Sequence, residues 1–179
     1  MANIKIPVTA RNIAAVAQAV RAAAPESREI HVDGTSRFQD GRAAWGKFAN
    51  LERVLHDLGI AFDRRSCGKY EYDPEIRMFR PGTVDKTLLT DASSDTVVHV
   101  RHLTAARDQG VAALVAAVSP PKQSVAAWGL ANAARVAELA AADPAASGDW
   151  EEIGASLAPA SVPCAQHTGR VRAPRIPTW

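Results

Sequence analysis

The amino-acid sequence predicts an α+β domain in which Ala-rich helices pack on one face of a mainly antiparallel sheet, followed by an extended C-terminal tail. Hydrophobic residues make up 47% of the 179 residues, but only 6% are aromatic and much of the apolar content is alanine, which favours helices. Short runs that alternate polar and apolar residues lie between these helical runs and indicate strands. Prolines recur from Pro159 onward and exclude regular helix there.

The N-terminal quarter alternates strand and helix signals. Residues 4–8 alternate in polarity and predict a first strand, and the apolar spacing that follows predicts a helix that ends before Pro25. Residues 29–32 predict a second strand. The polar run over 33–41 is interpreted as a loop.

The strongest helix signal in the chain is an apolar stripe closed by Gly59, a natural C-terminal cap. Its members are Trp45, Phe48, Leu51, Leu55 and Leu58. Residues 60–80 then predict a meander of two or three short antiparallel strands.

The remaining chain predicts one more strand near 97–100, a helix near 104–118 and a further helix capped by Ser124. We therefore divide the chain into three parts. Residues 1–122 form an α+β core domain, residues 123–158 a helical C-terminal appendage, and residues 159–179 an extended tail that contains proline and arginine.

Charge is concentrated in the tail. The formal net charge is +2, and residues 153–179 contain no acid but carry Arg170, Arg172 and Arg175, which leaves residues 1–152 at −1. Two cysteines far apart do not suggest a disulfide-built secreted domain. The sequence shows no signal-peptide core and no apolar run of membrane-spanning length, so we expect a cytoplasmic protein with no membrane partner.

A zinc site is one hypothesis for the second half of the chain. Its ligands would be His99, His102, Cys164 and His167, if the tail folded back onto the strand. Residues three apart on a strand point to opposite faces, which separates the two histidines. Two polar histidines at a sheet edge are the alternative, and we expect no metal and no other cofactor.

The predicted hairpin over 63–77 raises the alternative of a metal-dependent nuclease or hydrolase. Asp63, Glu71 and Glu75 would hold the metal, with Arg77 as the basic member. An arginine cannot give up its proton, so it replaces a catalytic lysine poorly. The alternative is a solvated sheet face with cross-strand ion pairs.

Single-stranded nucleic-acid binding is a further alternative for the same hairpin. Cations alternate there with aromatic residues, as in proteins that stack bases and contact phosphates. The residues are Arg64, Arg65, Lys69, Arg77 and Arg80, with Tyr70, Tyr72 and Phe79. Carboxylates in the same segment would repel phosphates.

The segment Cys67-Gly68-Lys69-Tyr70-Glu71-Tyr72-Asp73-Pro74-Glu75-Ile76-Arg77-Met78-Phe79-Arg80-Pro81-Gly82 resembles small accessory proteins of bacterial phages and conjugative elements. The resemblance implies a protein that occludes a host or defence complex, as anti-CRISPR proteins do, by stoichiometric binding.

The functional hypothesis is a non-catalytic interaction protein that binds and inhibits or regulates a protein or ribonucleoprotein. Phosphate-binding glycine loops, nucleophile elbows and HExxH or CxxC motifs are absent from the sequence. We assign no catalytic residue and expect that ionisable side chains do not gather into a pocket able to run a reaction. The hairpin cations and tyrosines are the first contact surface, and the tail with Arg170, Arg172, Arg175 and Trp179 is the second.

Overall fold

The computed structural model describes residues 1–69, 72–91, 95–98, 103–104 and 110–142. Its centre is a seven-stranded sheet in which every pair of neighbouring strands is antiparallel, with the order β2-β3-β1-β4-β5-β6-β7. The strands are β1 (Ala2–Pro7), β2 (Ser27–His31), β3 (Thr35–Asp40), β4 (Phe62–Ser66), β5 (Glu75–Arg80), β6 (Val84–Thr90) and β7 (Thr96–Val97). The predicted α+β class is confirmed.

Five α-helices accompany this sheet within the described ranges. They are α1 (Ala14–Ala23), α2 (Ala49–Asp57), α3 (Val111–Val118), α4 (Val125–Ala131) and α5 (Ala133–Ala141). The Ser124 hydroxyl accepts a hydrogen bond from the Ala127 backbone N–H at 3.1 Å, which confirms the predicted cap of α4. In the described part of the chain, no helix is both long enough and apolar enough to cross a bilayer.

Alternation along the strands divides the sheet into two faces. On β1, Ile4 and Ile6 are fully buried, while Lys5 points the other way. We call the side of Ile4 the core face and the side of Lys5 the opposite face. Cross-strand partners share a face, so Phe38 of β3 lies beside Ile4 on the core face. Helices α1 and α2 contribute further buried side chains to this core: Val16, Ala19, Val20, Leu51 and Leu55.

The interpretation of residues 33–41 as a loop is wrong, because β3 occupies most of it. Thr35 and Ser36 are fully buried and Asp40 nearly so, although all three are polar. Strand β3 lies between β2 and β1 and forms hydrogen bonds with both of these strands. Tertiary pairing therefore overrides a local composition that favours a turn.

The prediction that Trp45 belongs to the core stripe of the following helix is also wrong. Helix α2 begins at Ala49, and Trp45 lies before it in a tight turn over Ala44–Gly46, with 59% of its surface exposed. The remainder of the stripe faces the core as expected, with Phe48, Leu51 and Leu55 buried and Leu58 partly buried.

Helices α4 and α5 also reach the core. Trp128 and Val136 are buried in the same cluster as the residues of β1. A Cβ atom on Gly129 would lie 2.9 Å from Cβ of Pro7, so the absence of a side chain lets α4 approach the end of β1. The division of the chain at residue 122 stays a prediction.

The C-terminal end of helix α3 contacts the opposite face of the sheet. Lys86 of β6, which pairs with Met78 on that face, donates to the carbonyls of Ala116 and Ser119. A lysine at the C-terminal end of a helix satisfies carbonyls that have no partner within the helix and complements its dipole. This contact joins α3 to β6.

Candidate interaction surface and the buried charge network

A buried ion pair joins α2 to the core face of the sheet. Arg64 of β4 is 1% exposed, and its Nε lies 3.2 Å from Oε1 of Glu52. The same guanidinium places Nη2 2.6 Å from Oε1 of Glu75 on the neighbouring strand. Oε1 of Glu52 also accepts the backbone N–H of Phe48 at 3.0 Å, at the start of α2. One carboxylate therefore caps the helix and neutralises the arginine beneath it.

Arg77 extends this network toward solvent. Its Nη1 donates to Oε2 of Glu52 at 3.1 Å, and its Nε and Nη2 approach the carboxylate of Asp85 at 3.3 Å. Burial works to lower the pKa of Arg77, but hydrogen bonds and charge from Asp85 and Glu52 outweigh it and raise that pKa. The guanidinium therefore stays a cation and cannot serve as a general base.

These residues line a cleft of about 300 Å³ between α2 and strands β4 to β6. Seven ionisable side chains line this cleft: Lys47, Glu52, Arg64, Glu75, Arg77, Asp85 and Lys86. The expectation that such side chains form no pocket able to run a reaction stays a prediction. The three carboxylates, however, all accept contacts from Arg64 or Arg77. Among the cleft-lining residues, Thr87 carries the one hydroxyl and there is no cysteine. The arrangement fixes α2 to the sheet and presents no activated nucleophile.

The nuclease hypothesis requires Asp63 and Glu75 to converge on one metal ion, and the structure separates them. Asp63 pairs with Met78 on the opposite face, whereas Glu75 pairs with Ser66 on the core face. The third carboxylate, Glu71, lies outside the described residues. No group of three His, Cys, Asp or Glu side chains suited to a metal ion occurs within the ranges that the structure covers.

Two arginines of the predicted contact surface are buried instead of exposed. Arg64 forms ion pairs with Glu52 and Glu75. Arg80 is 2% exposed and donates to both carboxylate oxygens of Asp63 and to the carbonyls of Phe62, Phe79 and Gln123. Because Arg64 and Arg80 are buried against carboxylates of their own chain, the prediction that they form an exposed contact surface is wrong.

Of the other predicted contact residues, Arg65 is exposed on the opposite face, and Arg77 is three-quarters buried in its ion pairs. The structure brings Lys69 and Tyr72 together with residues of the loop 41–47. The Lys69 ammonium donates to the carbonyl of Gly41 at 3.1 Å. The ring of Tyr72 lies 6.3 Å from the ring of Trp45, centroid to centroid.

Trp45 owes its position to an unusual backbone. Its φ of 54° and ψ of 23° are left-handed, a conformation that costs a side chain with a Cβ about 1–2 kcal/mol. Gly46 continues in the same region with φ of 64°, and Lys47 N–H closes the turn on the carbonyl of Ala44 at 3.1 Å. Two successive left-handed residues form the central pair of a type I′ turn, where asparagine and glycine are usual.

Gly46 lets the turn lie directly against the sheet. A Cβ at this position would lie 2.1 Å from Oγ of Ser66 and 2.9 Å from the ring of Tyr72. Its carbonyl also accepts from Nη1 of the buried Arg64 at 3.4 Å. The loop is therefore seated on the end of β4, and the indole of Trp45 is held outward beside Tyr72. We call Trp45, Tyr72 and Lys69 the Trp45 surface.

Several predicted residues lie outside the described ranges: Tyr70, His99, His102, Cys164, His167, Arg170, Arg172, Arg175 and Trp179. The contact and metal hypotheses that depend on them stay predictions.

The sequence did not predict that Trp45 is an exposed surface residue or that Glu52 is a buried partner of Arg64. Glu52 follows the buried Leu51 on α2 and its partners are distant in sequence, so no local pattern shows the pairing. For Trp45, the sequence did contain one indication of a turn, which is the glycine that follows it at position 46.

The chain matches no protein-family model, and no curated protein or solved structure proves similar to it.

Proposed function

We propose that this protein acts without catalysis, by binding another protein through the Trp45 surface. The observation that supports this most is the exposed indole of Trp45 on a left-handed backbone, seated by Gly46 against Ser66 and Tyr72. Strained backbone of this kind persists where the surrounding structure enforces it, and it concentrates at ligand-contacting positions.

The chemistry of the surface fits a protein partner. Tryptophan and tyrosine supply large contact areas with few rotatable bonds, and both are enriched among the residues that dominate binding energy. The hydroxyl of Tyr72 is buried and lacks a hydrogen-bond partner among the described residues, while Lys69 adds a cation at the rim. A partner that buries the indole and offers a carboxylate to the cation complements this surface.

The charge network beside it supports binding over turnover. Its carboxylates are engaged by arginine, and its buried groups join α2 to the sheet. A rigid scaffold with a projecting aromatic loop is the arrangement that favours tight contact, since little conformational entropy is lost on binding. The resemblance of residues 67–82 to accessory proteins of mobile elements makes a host or defence complex the first partner class to examine.

The test compares capture of partners from cells of the source organism by the wild-type protein, Trp45→Ala and Leu130→Ala. Leu130 is a matched control because it is also a large exposed apolar residue but lies on α4. We expect a stoichiometric partner that the wild type and Leu130→Ala retain. Its affinity for Trp45→Ala should fall by about 30-fold or more, as for a residue at the centre of an interface. Equal capture by all three proteins would refute the role of this surface.

Single-stranded nucleic acid is the second candidate, because Trp45 and Tyr72 place two aromatic rings beside Lys69. Nuclease treatment of the lysate before capture separates the two proposals. Loss of the captured material after treatment, together with affinity that falls steeply with salt, would favour nucleic acid.

A further inference from the structure

A second cavity, of about 320 Å³, adjoins the cleft between α2 and strands β4 to β6. The two cavities share three lining residues, and the second is lined in full by Lys47, Ala49, Glu52, Arg53, His56 and Arg77. Residues 49, 52, 53 and 56 are spaced three or four apart and therefore lie on one side of the helix. Arg77 lies across from them on β5. The cavity is thus a groove with α2 as one wall and the sheet as the other.

The lining of this groove carries more positive than negative charge. Its cations are Lys47, Arg53 and Arg77, and its one carboxylate is that of Glu52, which leaves a surplus of two positive charges. Both oxygens of this carboxylate are engaged, because Oε1 accepts the backbone N–H of Phe48 at 3.0 Å and Oε2 accepts Nη1 of Arg77 at 3.1 Å. Glu52 therefore compensates neither Lys47 nor Arg53.

Lys47 and Arg53 are the two cations of the groove that can take a further anion. Lys47 is exposed, and its ammonium forms no hydrogen bond or ion pair with any residue that the structure describes. Arg53 donates to Oδ1 of Asn50 at 2.9 Å and lies 3.4 Å from Oδ2 of Asp57. The side chains of Arg53 and Asp57 are both more than half exposed, and an exposed ion pair of this kind contributes little. A ligand can therefore replace Asp57 at low cost.

The acids near the groove lie at its other end. Nδ1 of His56 is 3.8 Å from Oδ1 of Asp57, and Nε2 of His56 is 3.7 Å from Oδ2 of Asp85. His56 lies in the last turn of α2, whereas Lys47 precedes the first residue of that helix. The Lys47 end is therefore the more positive part of the groove and the place where an anion is best stabilised.

We propose that this groove binds a phosphate group at its Lys47 end, either as free phosphate or as the phosphate of a small monoester. A phosphate dianion matches the surplus of two positive charges, and its oxygens accept charge-assisted hydrogen bonds from Lys47 and Arg53. A carboxylate or a phosphodiester carries one negative charge and matches the groove less well. The cavity is large enough for a small organic group beside the phosphate. The site does not use the aromatic rings of Trp45 and Tyr72.

The test is a titration of the full chain with inorganic phosphate at low salt and about pH 8, where phosphate is mainly a dianion. Backbone amide chemical shifts in NMR spectra report the binding, and we expect saturable changes in residues 47–53. Lys47→Met and Arg53→Met should each raise the dissociation constant about fivefold or more. Arg65→Met is the matched control, because Arg65 is an exposed cation on the opposite face of the sheet, and it should leave the dissociation constant within about twofold.

Two further ligands identify the form of the phosphate. O-phosphoserine should bind at least as tightly as inorganic phosphate if the groove takes a monoester, and weaker binding would assign the site to free phosphate. Dimethyl phosphate, which carries one negative charge, should bind about fivefold more weakly than inorganic phosphate or not at all.

The wild-type titration by itself can overturn the proposal, since shifts that change without saturation would show that phosphate has no site on the protein. Equal losses of affinity in Lys47→Met and Arg65→Met would also overturn it, because they would reduce the effect to overall charge. Lys47 and Arg53 are exposed, so both variants should keep the wild-type circular dichroism spectrum and unfolding transition.

Discussion

The guanidinium of Arg64 lies directly against the carboxylate of Glu52, with Nε 3.2 Å from Oε1 and with 2% and 4% of the two side chains exposed. The pair connects a strand in the middle of the sheet with the helix that covers it. Because both charges are removed from water, they compensate each other, with Glu75 as a second partner of Arg64 and Arg77 as a second partner of Glu52. The position of α2, and with it the loop that carries Trp45, follows from this contact.

Removing one member of the pair should therefore destabilise the protein strongly. For Arg64→Met we expect a loss of about 3 kcal/mol in the free energy of unfolding, measured by urea denaturation, because Glu52 keeps a buried charge. The double variant Arg64→Met with Glu52→Met should lose less than the sum of the two single changes. Arg53→Met is the matched control, since the exposed ion pair of Arg53 with Asp57 should contribute within about 0.5 kcal/mol. Equal effects at positions 64 and 53 would contradict the role of the buried pair.

The left-handed backbone at Trp45 predicts a stability difference between two truncations. Trp45→Gly and Trp45→Ala both remove the indole, but glycine adopts a positive φ without strain. We expect Trp45→Gly to be about 1 kcal/mol more stable than Trp45→Ala in thermal or urea unfolding. Both variants should lose partner binding to the same degree. A Trp45→Ala protein as stable as Trp45→Gly would show that the turn is not strained.

The interaction of Asp33 with Lys5 predicts a pH-dependent contribution to stability. The hydrogen bond from Lys5 at 2.8 Å, followed by that from Thr35, lowers the pKa of Asp33 to about 2. A carboxyl group whose pKa is lower in the folded than in the unfolded state stabilises the fold above its unfolded pKa, near 3.9. The contribution is lost as the pH falls from about 4 toward 2.

We therefore expect Asp33→Asn to be less stable than the wild type by about 0.5 kcal/mol above pH 5, since solvent screens this exposed pair. The difference should shrink toward zero near pH 2. In a Lys5→Met background the pH-dependent part should be reduced, because the largest cause of the lowered pKa is then absent. A difference that stays constant with pH would contradict the assignment.

Trp128 tests whether the helices after residue 122 belong to the folding unit of the sheet. Its side chain is 5% exposed within the core cluster, so Trp128→Ala should cost about 3–5 kcal/mol and lower the midpoint of one cooperative transition. Leu130→Ala, on the exposed side of the same helix, should change stability by less than about 0.5 kcal/mol. Two separate transitions, with the sheet unaffected by Trp128→Ala, would instead favour an independent helical appendage.

The strands and helices with clear polarity patterns were predictable from the sequence. Alternation identified β1 and the β4–β5 hairpin, and the helical spacing of Phe48, Leu51 and Leu55 identified α2. The strand β3 was not predictable, because the polar residues Thr35 and Ser36 become buried only through pairing with β1 and β2. Long-range pairing decides such segments, and a local pattern does not contain it.

The candidate site was less predictable than the fold. Charged residues are usually exposed, so Arg64 and Arg80 were assigned to a contact surface, whereas each finds its carboxylate on a distant element or a neighbouring strand. Trp45 was assigned to the core because its spacing to Phe48 fits a helix. Only the backbone shows that a turn intervenes and rotates the indole outward.

The contact between Arg80 and Gln123 implies that the β4–β5 hairpin completes its contacts only after Gln123 has been synthesised. The guanidinium of Arg80 is sealed from water, yet one of its acceptors is the carbonyl of Gln123, which lies forty-three positions further along the chain. A ribosome-bound fragment that ends before Gln123 would leave Nε of this arginine without that acceptor. We expect the emerging hairpin to remain open to proteases and chaperones until this stretch has left the exit tunnel.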